Sequence, residues 1–133
     1  MKVAINGFGR IGRSVFRILN STEDVDVVAI NDIADNEALA YLLRNDTVMG
    51  RFPDKVEVAG DMLRTSSQTV QMTEISDPRE LPWEKLGVEH VIEATGLFSR
   101  VPRIRDRDAH GSCRLERTDL CVSDSKNGIV RQQ

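Results

Sequence analysis

The amino-acid sequence predicts an α/β fold built around a parallel β-sheet, and three observations support this prediction. An apolar run at residues 3–5 ends in a glycine-rich turn, and a helical pattern follows directly. Strand-like and helix-like segments then alternate along the first part of the chain. An acidic residue, Asp32, ends the second strand-like segment. Because crossover helices cover the faces of parallel sheets, we expect a doubly wound sheet of the Rossmann type, incomplete in its C-terminal half.

Hydrophobic periodicity predicts the first four elements. Residues 2–6 and 25–31 are short and rich in apolar side chains, which is typical of buried strands. Residues 10–20 place apolar side chains three and four positions apart, which predicts an amphipathic helix. Residues 36–44 follow Asp35, and aspartate is a good N-cap residue, so we predict a second helix there.

The later elements are shorter. Residues 53–76 alternate loosely in hydrophobicity around a turn at 59–61, which predicts antiparallel strands. Pro78 and Pro82 bracket a short turn or a single helical turn. Residues 88–94 form a last strand, which we expect to lie beside the first two strands and to run parallel to them.

The chemistry of the chain is concentrated in a G-x-G-x-x-G motif formed by Gly7, Gly9 and Gly12. Between a strand and a helix, Gly7 permits the tight turn and Gly9 allows the backbone to approach a pyrophosphate. Gly12 lets the helix pack closely on the strand. The unpaired N–H groups at the helix N-terminus then face the phosphates. The motif therefore predicts a dinucleotide site.

Asp32 supports the same prediction, because it lies 20 residues beyond Gly12 at the end of the second strand. A carboxylate there accepts hydrogen bonds from the hydroxyls of the adenosine ribose, and its charge repels a 2′-phosphate. We therefore expect NAD rather than NADP as the cofactor. The alternative is an ordinary glycine turn with an aspartate that caps the second helix or is merely solvated.

Longer motifs resemble the phosphorylating glyceraldehyde-3-phosphate dehydrogenase family. They are NGFGRIGR from residue 6, AIND from residue 29, DTVMGRF from residue 46 and EATGLF from residue 93. The resemblance covers about residues 1–100. It implies that the backbone at Arg10 and Ile11 meets the pyrophosphate of NAD and that Asp32 holds the adenosine ribose. Relatives that oxidise erythrose 4-phosphate share the first motif, so a fragment of such an enzyme stays an alternative.

The resemblance also implies roles further along the chain. Thr95 and Gly96 would line the cofactor cleft, and Phe98 would lie near the adenine side. Ser76 stands where the family often has an arginine that contacts adenine through its backbone, and a backbone contact survives that change. The alternative for Ser76 is an ordinary residue of a surface loop.

The stretch 101–133 departs from these patterns. It has no aromatic residue, and its apolar residues are scattered, so we expect residues 1–100 to form a partial NAD-binding domain and 101–133 a divergent, disordered tail. The family's nucleophilic cysteine segment and its activating histidine are not visible. Cys113 with His110 lacks the flanking residues of that segment, so we assign no catalytic residue. A frameshift near codon 100 explains the change of character.

Composition limits the remaining functions. The net charge is −3, which argues against a nucleic-acid surface, and two cysteines are too few for a usual metal cage. No apolar run is long enough to span a membrane, so we expect a cytoplasmic chain. The family is homotetrameric, although this chain need not assemble. Three functions stay open: the NAD-binding part of a dehydrogenase that is inactive alone, a non-catalytic nucleotide-binding module, and a non-functional truncated product.

Overall fold

The computed structural model describes residues 1–97, 121–124 and 128–130 of the 133-residue chain. The α-helices are α1 (Arg10–Leu19) and α2 (Asn36–Arg44), and one turn of 3₁₀-helix spans Pro78–Glu80. The strands are β1 (Lys2–Asn6), β2 (Asp26–Asn31), β3 (Asn45–Asp46), β4 (Gly50–Arg51), β5 (Glu57–Ala59), β6 (Met62–Arg64), β7 (Thr69–Thr73), β8 (His90–Glu93), β9 (Cys121–Asp124) and β10 (Gly128–Val130).

A mixed sheet organises the described residues, with the strand order β10-β9-β8-β1-β2-β7-β6-β5. Its centre is parallel, because β1 pairs in parallel with β2 and β8, and β2 pairs in parallel with β7. In this register Ile5 lies between Ile30 and Ile92. The prediction of three neighbouring parallel strands is therefore confirmed, as is the Rossmann-type α/β fold. The helices and strands end within about two residues of their predicted limits.

The antiparallel part of the sheet also follows the prediction, with one addition. Strands β5, β6 and β7 form an antiparallel meander, and its first turn contains Gly60 at a φ of 60°. The addition is that β7 also pairs in parallel with β2, so the meander continues the central sheet. This pairing brings the residues that follow Thr73 beside the end of β2.

Two clusters of buried side chains cover opposite faces of the sheet. Successive residues of a strand point to opposite faces, and Ile5 belongs to one cluster while Ala4 belongs to the other. Phe16 of α1 and Leu43 of α2 both pack in the cluster of Ile5, so both helices lie on that face. Trp83 packs against the smaller cluster on the other face.

The sequence analysis did not predict β9 and β10. Strand β9 pairs antiparallel with β8, and β10 pairs antiparallel with β9. Strand pairing satisfies backbone groups at a sheet edge, which needs no periodic apolar pattern and so left no signal in the sequence. The prediction of a disordered tail concerns residues 101–133, and the rest of that stretch lies outside the described residues.

Candidate nucleotide-binding site

A cavity of about 250 Å³ opens at the carboxyl ends of the parallel strands. Its lining includes Gly7, Gly9, Asp32, Ile75, Ser76 and Thr95. Ligands of open α/β sheets bind outside the carboxyl ends of the strands, and the cavity lies there. Five of the residues predicted for the cofactor site therefore line one cavity, whereas Arg10, Ile11, Gly12 and Gly96 are not among its lining residues.

The geometry of the glycine-rich turn explains two of its glycines. Gly7 has a φ of 92°, and a Cβ atom there would lie 2.5 Å from the backbone nitrogen of Thr95. A Cβ atom on Gly12 would lie 2.0 Å from the carbonyl oxygen of Gly7. Both positions therefore require glycine for the turn to close against β8 and against the first turn of α1.

Gly9 differs from these two because no neighbouring protein atom in the described part of the chain excludes a side chain at this position. A Cβ atom there would meet no atom of the described residues within 4 Å, and Gly9 lines the cavity. Its φ of −70° is open to any residue. The missing side chain leaves room on the cavity side, where a ligand can approach the backbone.

The N-terminus of α1 is directed toward this turn. Gly9 is the N-cap residue, so no side chain accepts a hydrogen bond from the first turn, and the first turn holds no acidic residue. The N–H groups of Arg10 and Ile11 have no acceptor within the helix, and the helix dipole adds partial positive charge. Ile11 is 59% exposed and does not line the cavity.

Asp32 lies beside the glycine-rich turn, and both of its carboxylate oxygens accept hydrogen bonds. The Phe8 N–H donates to Oδ2 at 2.6 Å, and the Ala34 N–H donates to Oδ1 at 3.0 Å. The alternative that Asp32 caps the second helix is wrong, because Asp35 accepts the Ala38 N–H and occupies the N-cap of α2. Each carboxylate oxygen has a further lone pair, so Asp32 can still accept from a ligand.

Ser76 lines the cavity beyond the end of β7 and is exposed. The next residue, Asp77, accepts a hydrogen bond from the Arg79 N–H at 3.0 Å. Its carboxylate also forms an ion pair with the Arg79 guanidinium at 2.8 Å. The side-chain hydrogen bond from Arg79, with its backbone hydrogen bond, lowers the pKa of Asp77 to about 2. This turn fixes the backbone that follows Ser76. Ser76 is therefore both an exposed loop residue and part of the cavity wall.

The segment after β8 forms the remaining wall. The Thr95 N–H donates to Glu93 Oε1 at 2.8 Å, and Thr95 lines the cavity. Gly96 follows at a φ of 71° and is exposed. Phe98, the predicted residue of the adenine side, lies outside the described residues, as do Cys113 and His110.

Sequence reasoning missed several residues of the site. Asn6 and Asn31 line the cavity and are buried, while Ile33 lines it and is 73% exposed. Both asparagines occupy the last position of a buried strand, and a polar residue there is a signal that could have indicated a role. Ile33 gave none, because an apolar residue after a strand is common.

The fold and the cavity together define a dinucleotide-binding domain. Residues 1–101 match the family model described as "Glyceraldehyde 3-phosphate dehydrogenase, NAD binding domain". The chain therefore belongs to the glyceraldehyde-3-phosphate dehydrogenase family, and the part that it contains is the NAD-binding domain. NAD is the cofactor of that domain.

Comparisons with individual relatives agree with this assignment. The chain is 48% identical over 99 residues to glyceraldehyde-3-phosphate dehydrogenase of Thermotoga maritima, covering 73% of this chain and 30% of that protein. It is 44% identical over 117 residues to the enzyme of Xanthobacter flavus, covering 86% and 35%. It is 47% identical over 98 residues to the protein named cytosolic in Leishmania mexicana, covering 74% and 30%. The chain thus spans about a third of the length of these relatives.

The Xanthobacter flavus match also bears on the stretch after residue 101. It covers 86% of this chain, which is more than residues 1–101 account for. Part of the stretch that the sequence analysis treated as divergent therefore aligns with a relative. Among the described residues, no helix is long and apolar enough to cross a membrane, and no group of three His, Cys, Asp or Glu residues could hold a metal ion.

Proposed function

We propose that this chain supplies the NAD-binding portion of a phosphorylating glyceraldehyde-3-phosphate dehydrogenase, with NAD held in the cavity at the carboxyl ends of β1, β2 and β8. One observation carries the proposal: Gly9, which is the N-cap residue of α1 and has no side chain, and Asp32 line a single cavity. These groups match the pyrophosphate and the ribose of a dinucleotide.

The pyrophosphate is assigned to the glycine-rich turn. The N–H groups of Arg10 and Ile11 would donate to its oxygens, because they have no acceptor within α1. Gly9 would lie against the phosphates without steric conflict, since its cavity side carries no Cβ atom. Gly7 and Gly12 hold the turn in the shape that this contact requires.

The adenosine is assigned to Asp32 and to the segment that follows β7. The Asp32 carboxylate would accept the ribose hydroxyls through the lone pairs that Phe8 and Ala34 leave free. The backbone at Ser76 would border the adenine, with Phe98 on the same side. Thr95 and Gly96 would line the cofactor cleft.

Oxidation of an aldehyde phosphate is a property that we propose only for the whole protein. NAD accepts a hydride when bound, and the residues described here bind and orient it. The relatives named above are all glyceraldehyde-3-phosphate dehydrogenases, so the erythrose-4-phosphate alternative gains no support from them. A non-catalytic nucleotide-binding module describes what this chain does alone. Cytoplasmic location and the family's tetrameric assembly belong to the whole-protein proposal, as does the absence of nucleic-acid binding.

The isolated 133-residue chain is expected to give no NAD reduction with glyceraldehyde 3-phosphate and inorganic phosphate. The reason is that the described residues lining the cavity include no cysteine and no histidine that could serve as thiol nucleophile and base. Absorbance of NADH at 340 nm measures the rate. A rate well above background that disappears in the Cys113→Ser variant would contradict this expectation and would make Cys113 the nucleophile.

Backbone amide shifts in a two-dimensional NMR spectrum test the proposed binding site. Addition of NAD is expected to move the signals of Gly9, Ile11, Asp32 and Thr95. Signals at the other edge of the sheet, such as Gly60, serve as the internal control and should stay in place. Saturable shifts confined to the control edge would contradict the proposed site.

A further inference from the structure

A row of hydrogen-bonded polar side chains runs beneath the cavity and crosses four neighbouring parallel strands. The Asn6 amide donates to Glu93 Oε2 at 2.6 Å, and the Asn31 amide donates to Asn6 Oδ1 at 2.8 Å. The Thr73 hydroxyl donates to Asn31 Oδ1 at 2.9 Å. These four residues, here called the polar ladder, occupy the last positions of β8, β1, β2 and β7.

Each side of the polar ladder holds a different wall of the cavity. On one side, Glu93 accepts the N–H and the hydroxyl of Thr95. On the other side, Asn31 donates to the Ile75 carbonyl and accepts the Ile75 N–H, both at 2.9 Å. Thr95 and Ile75 both line the cavity. The polar ladder is therefore the side-chain connection between two walls that belong to distant parts of the chain.

The direction of every bond in the polar ladder is determined from its ends. The Glu93 carboxylate only accepts, so Asn6 must present its amide nitrogen to it and its oxygen to Asn31. The Ile75 N–H only donates, so Asn31 must present its oxygen there. The constraints from Glu93 and from Ile75 therefore agree on the orientation of both asparagine amides. Asn6 is 3% exposed and Asn31 is 4% exposed, so a reversed partner would leave a buried polar group unsatisfied.

We infer that the polar ladder is a positioning device for the nucleotide, setting the separation of the Thr95 and Ile75 walls. Glu93 thereby determines the affinity for NAD through Thr95 rather than by contact with the nucleotide, and Asn6, which lines the cavity, fixes the position of Glu93. This inference rests on the proposed function, because it assumes that the cavity holds NAD. It assigns a role to the two asparagines that the glycine motif and Asp32 leave unexplained.

Two single variants and their combination, which exchanges the amide and the carboxylate between positions 6 and 93, test the inference without changing side-chain size. Asn6→Asp places a second carboxylate against that of Glu93, and Glu93→Gln places an amide that cannot accept from both Asn6 and Thr95. In the combined Asn6→Asp, Glu93→Gln variant, the introduced amide donates to the introduced carboxylate. Its oxygen still accepts from Thr95, and the carboxylate still accepts from Asn31. The ladder is thus restored with its charge moved by one position.

Calorimetric titration of the full chain with NAD is expected to give about tenfold weaker binding for each single variant, because each leaves a buried polar group mispaired. The combined variant should return to within about threefold of the unaltered chain, since its pairing is complete. Urea unfolding of each variant establishes that the titrated chain is folded. If Asn6→Asp does not fold, Glu93→Gln and the combined variant still provide the comparison.

The matched control lies at the other end of α1. Asn20 donates to Asp54 Oδ2 at 3.2 Å and accepts the Thr65 hydroxyl, which repeats the amide–carboxylate–hydroxyl arrangement away from the cavity. Asn20→Asp should destabilise the chain and leave the affinity for NAD unchanged. A loss of affinity equal to that of Asn6→Asp would show that the effect is general destabilisation and would overturn the inference.

Two further outcomes separate the inference from the proposed function. If the unaltered chain does not bind NAD, the proposed function fails and the inference fails with it. If the unaltered chain binds NAD and the single variants bind equally well, the proposed function stands and the inference is wrong. Weak binding by the combined variant, when the chain is folded, also contradicts the inference.

Discussion

Replacing Gly12 with alanine is expected to remove much of the folding stability of this chain. The new Cβ atom would lie 2.0 Å from the Gly7 carbonyl oxygen and 3.3 Å from Ile5 Cγ2. The first of these neighbours is backbone in a turn that itself closes against Thr95, so it cannot move without disturbing β8. Overpacking of this kind costs about 3 kcal/mol, against about 5–15 kcal/mol for the stability of a typical domain.

Gly9→Ala is the control for this prediction. Gly9 stands three residues earlier in the same motif, and its Cβ atom would meet nothing within 4 Å. The substitution should lower the free energy of unfolding by about 1 kcal/mol or less, through the N-cap alone. Urea unfolding followed by circular dichroism measures both variants. A Gly12→Ala chain as stable as the Gly9→Ala chain would contradict the packing that the structure gives to this turn.

Replacing Asp32 with alanine is expected to weaken NAD binding by about tenfold to a hundredfold, because a charged hydrogen-bond acceptor contributes about 1.5–3 kcal/mol. Binding of NADP should weaken much less, since the substitution also removes the charge that repels the 2′-phosphate. The preference for NAD over NADP should therefore narrow. Titration calorimetry with both nucleotides measures the two affinities.

Asp35→Ala is the matched control, because it removes the same charge three residues away. Asp35 caps α2 through the Ala38 N–H at 2.9 Å and is absent from the lining of the cavity. Its replacement should cost about 1 kcal/mol of stability and leave the ratio of the two affinities unchanged. Equal changes of that ratio in the two variants would show that the preference reflects overall charge rather than Asp32.

The central fold could be predicted because its signals are local. The strand of Ile5, the amphipathic spacing around Phe16 and the N-cap at Asp35 each follow from a few neighbouring residues, and the structure has all three. The parallel order followed because a β-α-β connection leaves few alternatives. The glycine motif predicted the tight turn because the restriction at Gly12 comes from Gly7, five residues earlier, whereas the restriction at Gly7 comes from the segment that follows β8, far along the chain.

What the sequence did not indicate depends on contacts between distant residues. The bond of Asn6 with Glu93 joins residues 87 positions apart, and that of Asn31 with Ile75 joins residues 44 apart. No periodicity records which polar residues meet. Strand β9 was missed because its pairing with β8 uses backbone groups that any sequence offers. The roles of Ser76, Thr95 and Gly96 came from the family resemblance and stay predictions, as does that of Phe98.

The central claim is that the cavity beside Asp32 binds NAD, and titration of the unaltered 133-residue chain with NAD and with NADP tests it most directly. The account predicts saturable binding of one NAD per chain, with NADP bound more weakly because the Asp32 carboxylate opposes its 2′-phosphate. Absence of saturable NAD binding by a chain shown to be folded, or tighter binding of NADP than of NAD, would contradict it.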